Sequence, residues 1–207
     1  MTQPIVQLAI HETFQQTIQG EGHWAGTPVD FIRLAGCPVG CPWCDTGYAE
    51  GGGKGLPREW RSLPHLLAEL KTPRVVISGG EPFLQPELVT LVTALLNDDR
   101  TVSIETSGAI WREIDDRAWV TLSPKQHVSP RYPVQPEFWS RANEVKLVIA
   151  QAEDLMFYNQ ALEKVDAPIF LQAEWDTPAS LQVVLDLLKR YPQYRLSTQL
   201  HKYLGVQ

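Results

Sequence analysis

Residues 75–108 read VVISGGEPFLQPELVTLVTALLNDDRTVSIETSG and contain one complete strand–helix–strand unit. The β-branched run from Val75 to Ile77 stops at Ser78-Gly79-Gly80, which predicts a buried strand followed by a turn. Apolar residues then recur at helical spacing from Leu88 to Leu96. A second strand is predicted from Thr101 to Ile104. This order predicts two parallel strands joined by a crossover helix.

The same alternation extends to both sides of this unit. Further strands are predicted at Phe31–Leu34, Val120–Leu122, Val145–Ile149, Ile169–Leu171 and Tyr194–Leu196, and further helices at Leu63–Leu70, Leu155–Leu162 and Leu181–Leu188. A full eight-fold barrel usually needs about 250 residues, and this chain has 207. We therefore predict an α/β fold of one domain, residues 1–207, built as an incomplete (β/α)6-type TIM-like barrel of parallel strands. A doubly wound open sheet is the alternative, although the sequence lacks a strand-linked GxGxxG fingerprint.

The composition limits the classes of molecule that the protein is expected to bind. Hydrophobic residues make up 43% and charged residues 20% of the chain, as in ordinary globular proteins. The formal net charge of -6 argues against broad nucleic-acid binding, which needs a basic face. No stretch approaches the roughly 20 apolar residues of a membrane span, and the N-terminus lacks the features of a signal peptide. We therefore expect no nucleic-acid or membrane partner and a cytoplasmic location.

Polar and glycine-rich clusters directly follow five of the predicted strands. They are Gly36-Cys37, Ser78-Gly79-Gly80-Glu81-Pro82, Glu105-Thr106-Ser107-Gly108, Ser123-Pro124-Lys125 and Gln172-Ala173-Glu174. In a parallel βα barrel the carboxyl ends of all strands face the same mouth. These clusters are therefore expected to converge on one site.

The three cysteines of the chain, Cys37, Cys41 and Cys44, lie within eight residues in a CxxxCxxC spacing. An odd number at this spacing does not fit a disulfide framework, and thiolates are soft ligands that suit iron–sulfur clusters or zinc. A [4Fe–4S] cluster held by three cysteines leaves one iron open for a small molecule. The alternative is a structural zinc site with His11 or His23 as fourth ligand, but such sites usually pair two ligand clusters.

The CxxxCxxC loop after one strand, with Gly79-Gly80-Glu81-Pro82 after the next, resembles the radical S-adenosylmethionine (radical SAM) superfamily. The resemblance implies a [4Fe–4S] cluster whose open iron is chelated by the methionyl amino and carboxylate groups of S-adenosylmethionine. It also implies cleavage of the sulfonium to a 5′-deoxyadenosyl radical, so the cofactor carries the chemistry and the protein positions it.

Three further segments are similar to the 7-carboxy-7-deazaguanine synthase family. They are FQQTIQGEG at 14–22, Cys44-Asp45-Thr46 and QLHKYLG at 199–205, and the likeness runs from about His11 to the C-terminus. The resemblance implies ring contraction of 6-carboxy-5,6,7,8-tetrahydropterin to 7-carboxy-7-deazaguanine with loss of ammonia. This is a lyase step toward queuosine, a tRNA modification. It also implies Mg²⁺, a hard cation that takes oxygen ligands.

The resemblance assigns a role to each matching residue, and none beyond the cluster and cofactor is assigned to catalysis. Substrate contacts are expected from Ile18, Gln19, Gly20, Arg33, Ser78 and Gln207, with main-chain bonds from Ile18-Gln19-Gly20 and a charge-assisted pair from Arg33. Cofactor contacts are expected from Trp43, Cys44, Asp45, Gly80, Glu105, Ser123, Pro124, Lys125 and Gln172. Thr46 is expected to bind Mg²⁺. Two positions depart from the family pattern, because Ser78 replaces a frequent threonine and Gln172-Ala173 replaces a frequent Gln-Pro pair.

Three of these residues also have a purely structural interpretation. Arg33 could form a structural ion pair, Glu105 could hydrogen-bond within a barrel layer, and Thr46 could cap a helix. Two other functions share the cysteine spacing: an activase of glycyl-radical enzymes, and a non-catalytic iron–sulfur or zinc binding module. The resemblance further implies a flavodoxin or ferredoxin as reductant and a homodimer.

Overall fold

The computed structural model describes residues 5–48 and 56–206, and a nine-stranded sheet forms its centre. The strands are β1 (Gln7–Ile18), β2 (Pro28–Leu34), β3 (Glu59–Ser62), β4 (Arg74–Gly79), β5 (Thr101–Thr106), β6 (Trp119–Leu122), β7 (Glu144–Ile149), β8 (Ile169–Ala173) and β9 (Arg195–Ser197). The helices are α1 (Leu63–Glu69), α2 (Leu88–Asn97), α3 (Glu137–Arg141), α4 (Ala152–Leu162), α5 (Ser180–Arg190) and α6 (Leu200–Leu204). Short 3-10 turns occupy Gly22–Trp24 and Pro82–Leu84.

The predicted incomplete barrel of parallel strands is confirmed. The strands are ordered β3-β1-β2-β4-β5-β6-β7-β8-β9. In the part of the sheet ordered β2-β4-β5-β6-β7-β8-β9, every pair of adjacent strands is parallel, and the sheet is not closed. The repeat is interrupted once, because residues 107–118 join β5 to β6 without a helix. The carboxyl ends of these strands therefore share one edge of the sheet.

The sequence did not predict the two strands at the opposite end of the sheet. β1 pairs antiparallel with β2 on one side and with β3 on the other. The alternation of β1 is broken by register irregularities on both sides of Phe14, and Gln16 has a φ of 55°. An irregular strand of this kind bends and loses the period of two on which strand prediction depends.

The predicted helical stripe of α2 lies entirely in the core. Leu88, Leu91, Val92 and Leu95 are fully buried, and Leu96 is nearly so. Each such side chain contributes about 1.5–3 kcal/mol by leaving water. This packing fixes α2 between β4 and β5, and so it fixes the turn after β4 that faces the carboxyl edge. Among the described residues, no helix is long and apolar enough to cross a bilayer.

Asp30, on β2, stabilises the irregular part of β1. Its carboxylate is fully buried and accepts hydrogen bonds from the main-chain N–H groups of Gln16 at 2.8 Å, Lys71 at 2.5 Å and Thr72 at 2.8 Å. One side chain thus satisfies donors from the β1 irregularity and from the loop before β4, which no strand pairing can satisfy.

The Asp30→Ala variant is expected to lose about 3–5 kcal/mol of unfolding free energy, because three N–H donors lose their acceptor at once. The matched control is Asp98→Ala, whose half-exposed side chain pairs with Arg100 at 2.8 Å and should cost at most about 1 kcal/mol. Urea unfolding of both variants measures the difference. Equal midpoints for the two variants would refute this role for Asp30.

Candidate active site

A cavity of about 250 Å³ opens at the carboxyl ends of the parallel strands. It brings together most of the predicted site residues: Ile18, Gln19, Arg33, Cys37, Cys41, Trp43, Cys44, Asp45, Thr46, Ser78, Gly80, Glu105, Ser123, Lys125 and Gln172. Gly20 and Pro124 do not line it, and Gln207 lies outside the described residues. The predicted convergence at one mouth is therefore observed, while the role of each residue toward a ligand stays a prediction.

The cysteine loop follows β2 and is held by local turns. The Cys44 N–H donates to the Cys41 carbonyl at 3.2 Å, and the Gly47 N–H donates to the Cys44 carbonyl at 3.2 Å. The Gly36 N–H donates to the Tyr48 hydroxyl at 3.0 Å, which anchors both ends of the loop to one another. The loop therefore holds the three thiols on one side, toward the cavity.

The glycine pair after β4 lies directly against this loop. The Gly80 N–H donates to the Leu34 carbonyl at 3.0 Å, and the Glu81 N–H donates to the Gly36 carbonyl at 2.9 Å. A Cβ on Gly80 would lie 2.0 Å from the Gly36 oxygen and 2.7 Å from the Cys37 Cβ. Only glycine permits this approach, so the second motif supports the first.

Glu81, the residue after the glycine pair, is a buried structural residue. Its carboxylate accepts hydrogen bonds from the Phe83 N–H at 3.2 Å, the Thr106 hydroxyl at 2.6 Å, the Ser107 N–H at 2.9 Å and the Ser107 hydroxyl. Burial raises the pKa of Glu81, and these hydrogen bonds oppose the rise. The side chain thereby ties the glycine turn to the end of β5.

The chemistry of the three thiols fits a cluster. Burial raises the pKa of the Cys37 thiol to about 11, against the main-chain hydrogen bonds of Val39 and Gly40. Burial also raises the pKa of Cys41, while the ammonium of Lys125 opposes the rise. Thiols of this kind lose their protons when they bind metal. Soft sulfur ligands on one cavity wall, with N–H groups beside them, suit an iron–sulfur cluster.

The two histidines considered as a fourth zinc ligand lie elsewhere. His11 contacts the Pro57 carbonyl through Nδ1 at 3.0 Å. The ring of His23 stacks on Trp119 with 4.8 Å between centroids. Neither residue lines the cavity that contains the cysteines. Within 5–48 and 56–206, no three His, Cys, Asp or Glu side chains are grouped to hold a single metal ion.

Arg33 forms an ion pair within the protein, as its structural interpretation expects, while its pair with a substrate carboxylate stays a prediction. Its Nε lies 3.3 Å from a Glu12 carboxylate oxygen, and its guanidinium lies 5.5 Å from the centre of the Phe14 ring. Its Nη1 donates to the Thr46 hydroxyl at 3.3 Å inside the cavity. The neighbouring Ser78 hydroxyl is buried and has no hydrogen-bond partner among the described residues. An unpartnered polar atom in a cavity wall is a place where a ligand can bind.

A buried charge cluster, missed by the sequence analysis, closes the other side of the cavity. The ammonium of Lys146 on β7 donates to Glu105 at 2.9 Å and to Glu21. Burial by itself lowers the pKa of Lys146, but the two carboxylates outweigh it and raise that pKa. Burial raises the pKa of Glu21, but the attraction of Lys146 prevails and lowers it to about 2. The signal for Lys146 was a charge between the apolar residues Val145 and Leu147 of β7.

Lys125 lies at the opposite wall, beside the cysteine loop. Its ammonium donates to the carbonyl and the hydroxyl of Ser123, both at 2.6 Å, and it lies 5.6 Å from the centre of the Trp43 ring. Burial lowers its pKa, and nearby Cys41 opposes that effect. Ser123 and Lys125, from which cofactor contacts are predicted, therefore lie together in the cavity wall.

The C-terminal helix α6 borders the cavity with residues that the prediction did not assign. His201 and Lys202 line the cavity, and the Lys202 ammonium lies 4.7 Å from the centre of the Trp175 ring. The Leu200 N–H donates to the Gly20 carbonyl at 3.0 Å, and a Cβ on Gly20 would collide with His201. Gly20 therefore packs against α6 and is not part of the cavity wall.

The main chain of Gln19 is also engaged already. Its N–H donates to the Thr27 carbonyl at 2.9 Å, and its carbonyl accepts from the Gly26 N–H at 2.8 Å. The Gln19 N–H is therefore occupied, while its carbonyl keeps a second acceptor site for the predicted main-chain bond to a substrate. The side chain faces the charge cluster, where Nε2 donates to Glu105 at 3.3 Å.

Comparison with known proteins identifies the family of this chain. A family model described as the Radical SAM superfamily matches residues 31–119. The chain is 38% identical over 206 residues to 7-carboxy-7-deazaguanine synthase of Synechocystis sp., covering 98% of this chain and 95% of the relative. It is 34% identical to the enzyme of that name from Escherichia coli K12, covering 97% and 100%. A crystal structure of QueE from Escherichia coli superposes with a TM-score of 0.81 at 31% identity, covering 94% and 95% of the two chains. The chain belongs to the 7-carboxy-7-deazaguanine synthase family of radical SAM enzymes.

Proposed function

We propose that this protein converts 6-carboxy-5,6,7,8-tetrahydropterin to 7-carboxy-7-deazaguanine with release of ammonia, on the path to queuosine. The observation that carries the proposal is the single cavity that joins three cysteines to a cationic and hydroxyl-lined wall. Cys37, Cys41 and Cys44 form one side, and Arg33 and Ser78 lie in the same cavity. A binding module would need the cysteines alone.

The cysteines would hold a [4Fe–4S] cluster, and Gly80, Trp43, Ser123, Lys125 and Gln172 would hold S-adenosylmethionine beside it. When bound, the pair supplies one-electron chemistry that can break a carbon–hydrogen bond. The protein contributes position: the Gly36–Gly80 contact fixes the loop, and the hydrogen bonds of Lys125 fix its ammonium next to Trp43. The half-enclosed cavity limits the access of water to reactive species.

Arg33 and Thr46 would recognise the substrate carboxylate together with Mg²⁺. Mg²⁺ prefers oxygen ligands and keeps several waters, so one protein hydroxyl and a ligand carboxylate suffice. The Arg33 guanidinium lies 3.3 Å from the Thr46 hydroxyl, so a cation bound there would repel it unless an anion lay between them. A substrate carboxylate provides that anion. The unpartnered Ser78 hydroxyl supports a further polar contact with the heterocycle.

The proposal also covers the protein partners of the enzyme. A flavodoxin or ferredoxin would reduce the cluster, and two copies of the chain would form a homodimer, as in the resemblance noted above. Three unpaired thiols suit the reducing cytoplasm. The net charge of -6 supports a free small-molecule substrate rather than a nucleic acid.

The test is an anaerobic assay of the reconstituted protein with S-adenosylmethionine, Mg²⁺, a strong reductant and the carboxytetrahydropterin. Mass spectrometry should detect 7-carboxy-7-deazaguanine, and its rate should fall when Mg²⁺ is omitted. If 5′-deoxyadenosine forms without this product, the radical assignment holds and the substrate is wrong. If neither compound forms from a fully loaded cluster, the result favours the alternative of a non-catalytic binding module.

A further inference from the structure

Lys146 has no role in the function proposed above, although its ammonium occupies the centre of a buried hydrogen-bond ring. Its side chain is 5% exposed, and it donates to Oε2 of both Glu105 and Glu21. The remaining oxygens have one donor each: Gln19 Nε2 donates to Glu105 Oε1 at 3.3 Å, and Gln199 Nε2 donates to Glu21 Oε1 at 3.0 Å. All four carboxylate oxygens are thus held by a defined donor.

The members of this ring come from separate parts of the fold. Glu21 and Gln19 lie in the turn between β1 and β2, Glu105 lies on β5, and Gln199 directly precedes α6. Lys146, on β7, is the only member that contacts both carboxylates. All five residues line the cavity. One ammonium therefore ties the turn and the C-terminal segment to the barrel wall.

A carboxylate oxygen has two acceptor sites, and each of these oxygens uses one for a protein donor. Both carboxylates therefore keep acceptor capacity for N–H or O–H donors of a ligand. Two buried carboxylates without a cation between them would share a proton, which removes acceptor capacity from one of them. The ammonium of Lys146 opposes this. Its attraction outweighs burial and lowers the pKa of Glu21 to about 2, and at Glu105 it counteracts the burial and the neighbouring carboxylates that raise that pKa.

We propose that Lys146 is a positioning residue that keeps Glu21 and Glu105 ionised and in place as acceptors for two ligands at once. The ligands are the nucleoside cofactor and the heterocyclic substrate, both rich in N–H and O–H donors, so the proposal rests on the function proposed above. Lys146 does not itself need to touch either ligand. Its removal should weaken the binding of both, even though they occupy different parts of the cavity.

The test measures equilibrium binding of S-adenosylmethionine and of the carboxytetrahydropterin to oxidised, cluster-loaded protein without reductant, so that no turnover occurs. In Lys146→Gln, both dissociation constants should rise at least about tenfold, because charge-stabilised acceptors are lost. Binding to the variant should also tighten as the pH rises from 7 to 9, because the shared proton is then lost. Wild-type binding should stay flat over that range.

The pH range from 7 to 9 takes account of the other charged groups around Lys146, Glu21 and Glu105. Glu144 lies on the same strand as Lys146, and Lys125 follows β6. His201 faces Glu21 from α6, and Asp45 of the cysteine loop acts on His201. Burial lowers the pKa of His201, so that this imidazole is neutral above pH 7. A pH response confined to Lys146→Gln and absent from wild type therefore belongs to the two carboxylates.

Two further variants separate positioning from folding. Lys189→Gln removes an exposed ammonium that pairs with Asp186 at 2.8 Å, and it should change neither dissociation constant. Lys146→Arg keeps the charge and should restore pH-independent binding. If Lys146→Gln does not fold, Lys146→Met takes its place, because it also removes the charge but keeps a long side chain. The same loss of affinity for both ligands is expected.

Wild-type affinities with a flat pH profile in Lys146→Gln, or in Lys146→Met where that variant is used, would overturn the positioning role. The function proposed above fails in a different way, namely when wild-type protein binds S-adenosylmethionine but not the pterin. In that case the S-adenosylmethionine affinity of Lys146→Gln still decides whether Lys146 positions Glu105.

Discussion

Replacing Cys41 by alanine is expected to abolish formation of the deazaguanine product, with a loss of at least about three orders of magnitude, because the radical chemistry belongs entirely to the cluster and its cofactor. Two thiolates cannot replace three as the protein ligands of the cluster. Cys41 is only 9% exposed, but the change removes a single sulfur atom, so the fold should persist. Iron and sulfide content, product by mass spectrometry and circular dichroism measure these three effects.

The matched control for Cys41→Ala is Thr93→Ala, on the exposed face of α2, where the hydroxyl donates to the Val89 carbonyl within the helix at 2.9 Å. This variant should keep both iron and activity. A Cys41→Ala protein that retains a full cluster and forms product would contradict the assignment of the cysteine loop.

Replacing Gly80 by alanine is expected to cost most of the cluster without unfolding the barrel. The added Cβ would lie 2.0 Å from the Gly36 carbonyl oxygen and 2.7 Å from the Cys37 Cβ. The first is a main-chain atom of the cysteine loop, and the second is the side-chain atom bonded directly to its main chain. Neither can rotate away, so the loop itself must move. We expect at least a tenfold loss of reconstituted iron per chain relative to wild type, because misplaced ligands lose affinity steeply.

Gly26→Ala provides the comparison for Gly80→Ala. Gly26 has a φ of +84° and no atom within 4 Å of an added Cβ. Alanine there costs about 1–2 kcal/mol of backbone strain but has no steric effect on the cysteine loop. Full iron content in Gly80→Ala, or equal iron loss in both variants, would contradict the view that the glycine turn supports the loop.

Most of the barrel could be predicted because its elements carry regular patterns. β4, α2 and β5 follow from β-branched runs and from a helical stripe whose members are all buried. β1 and β3 could not be predicted in this way. The positive φ of Gln16 interrupts the alternation of β1, and β3 has four residues with Trp60 62% exposed. Their antiparallel pairing depends on distant partners rather than on local pattern.

The parts of the site that could be predicted are those whose chemistry depends on residues close together in the sequence. The cysteine loop and the glycine turn carry spacing and backbone constraints that a sequence displays. Lys146 and Glu21 carry no such signal, because their roles depend on the parallel register that brings β5, β7 and the β1–β2 turn to one point. Gly20 illustrates the reverse case, since its motif was recognised but its contact with α6 depends on tertiary structure.

Electron paramagnetic resonance of the anaerobically reconstituted and reduced protein, recorded without and with S-adenosylmethionine, would show whether Cys37, Cys41 and Cys44 hold a cluster with an open iron. We expect the signal of a reduced [4Fe–4S] cluster, and we expect its shape to change on addition of S-adenosylmethionine because the open iron gains new ligands. A signal that S-adenosylmethionine leaves unchanged would contradict the open iron. A silent protein containing one zinc per chain would contradict the cluster itself.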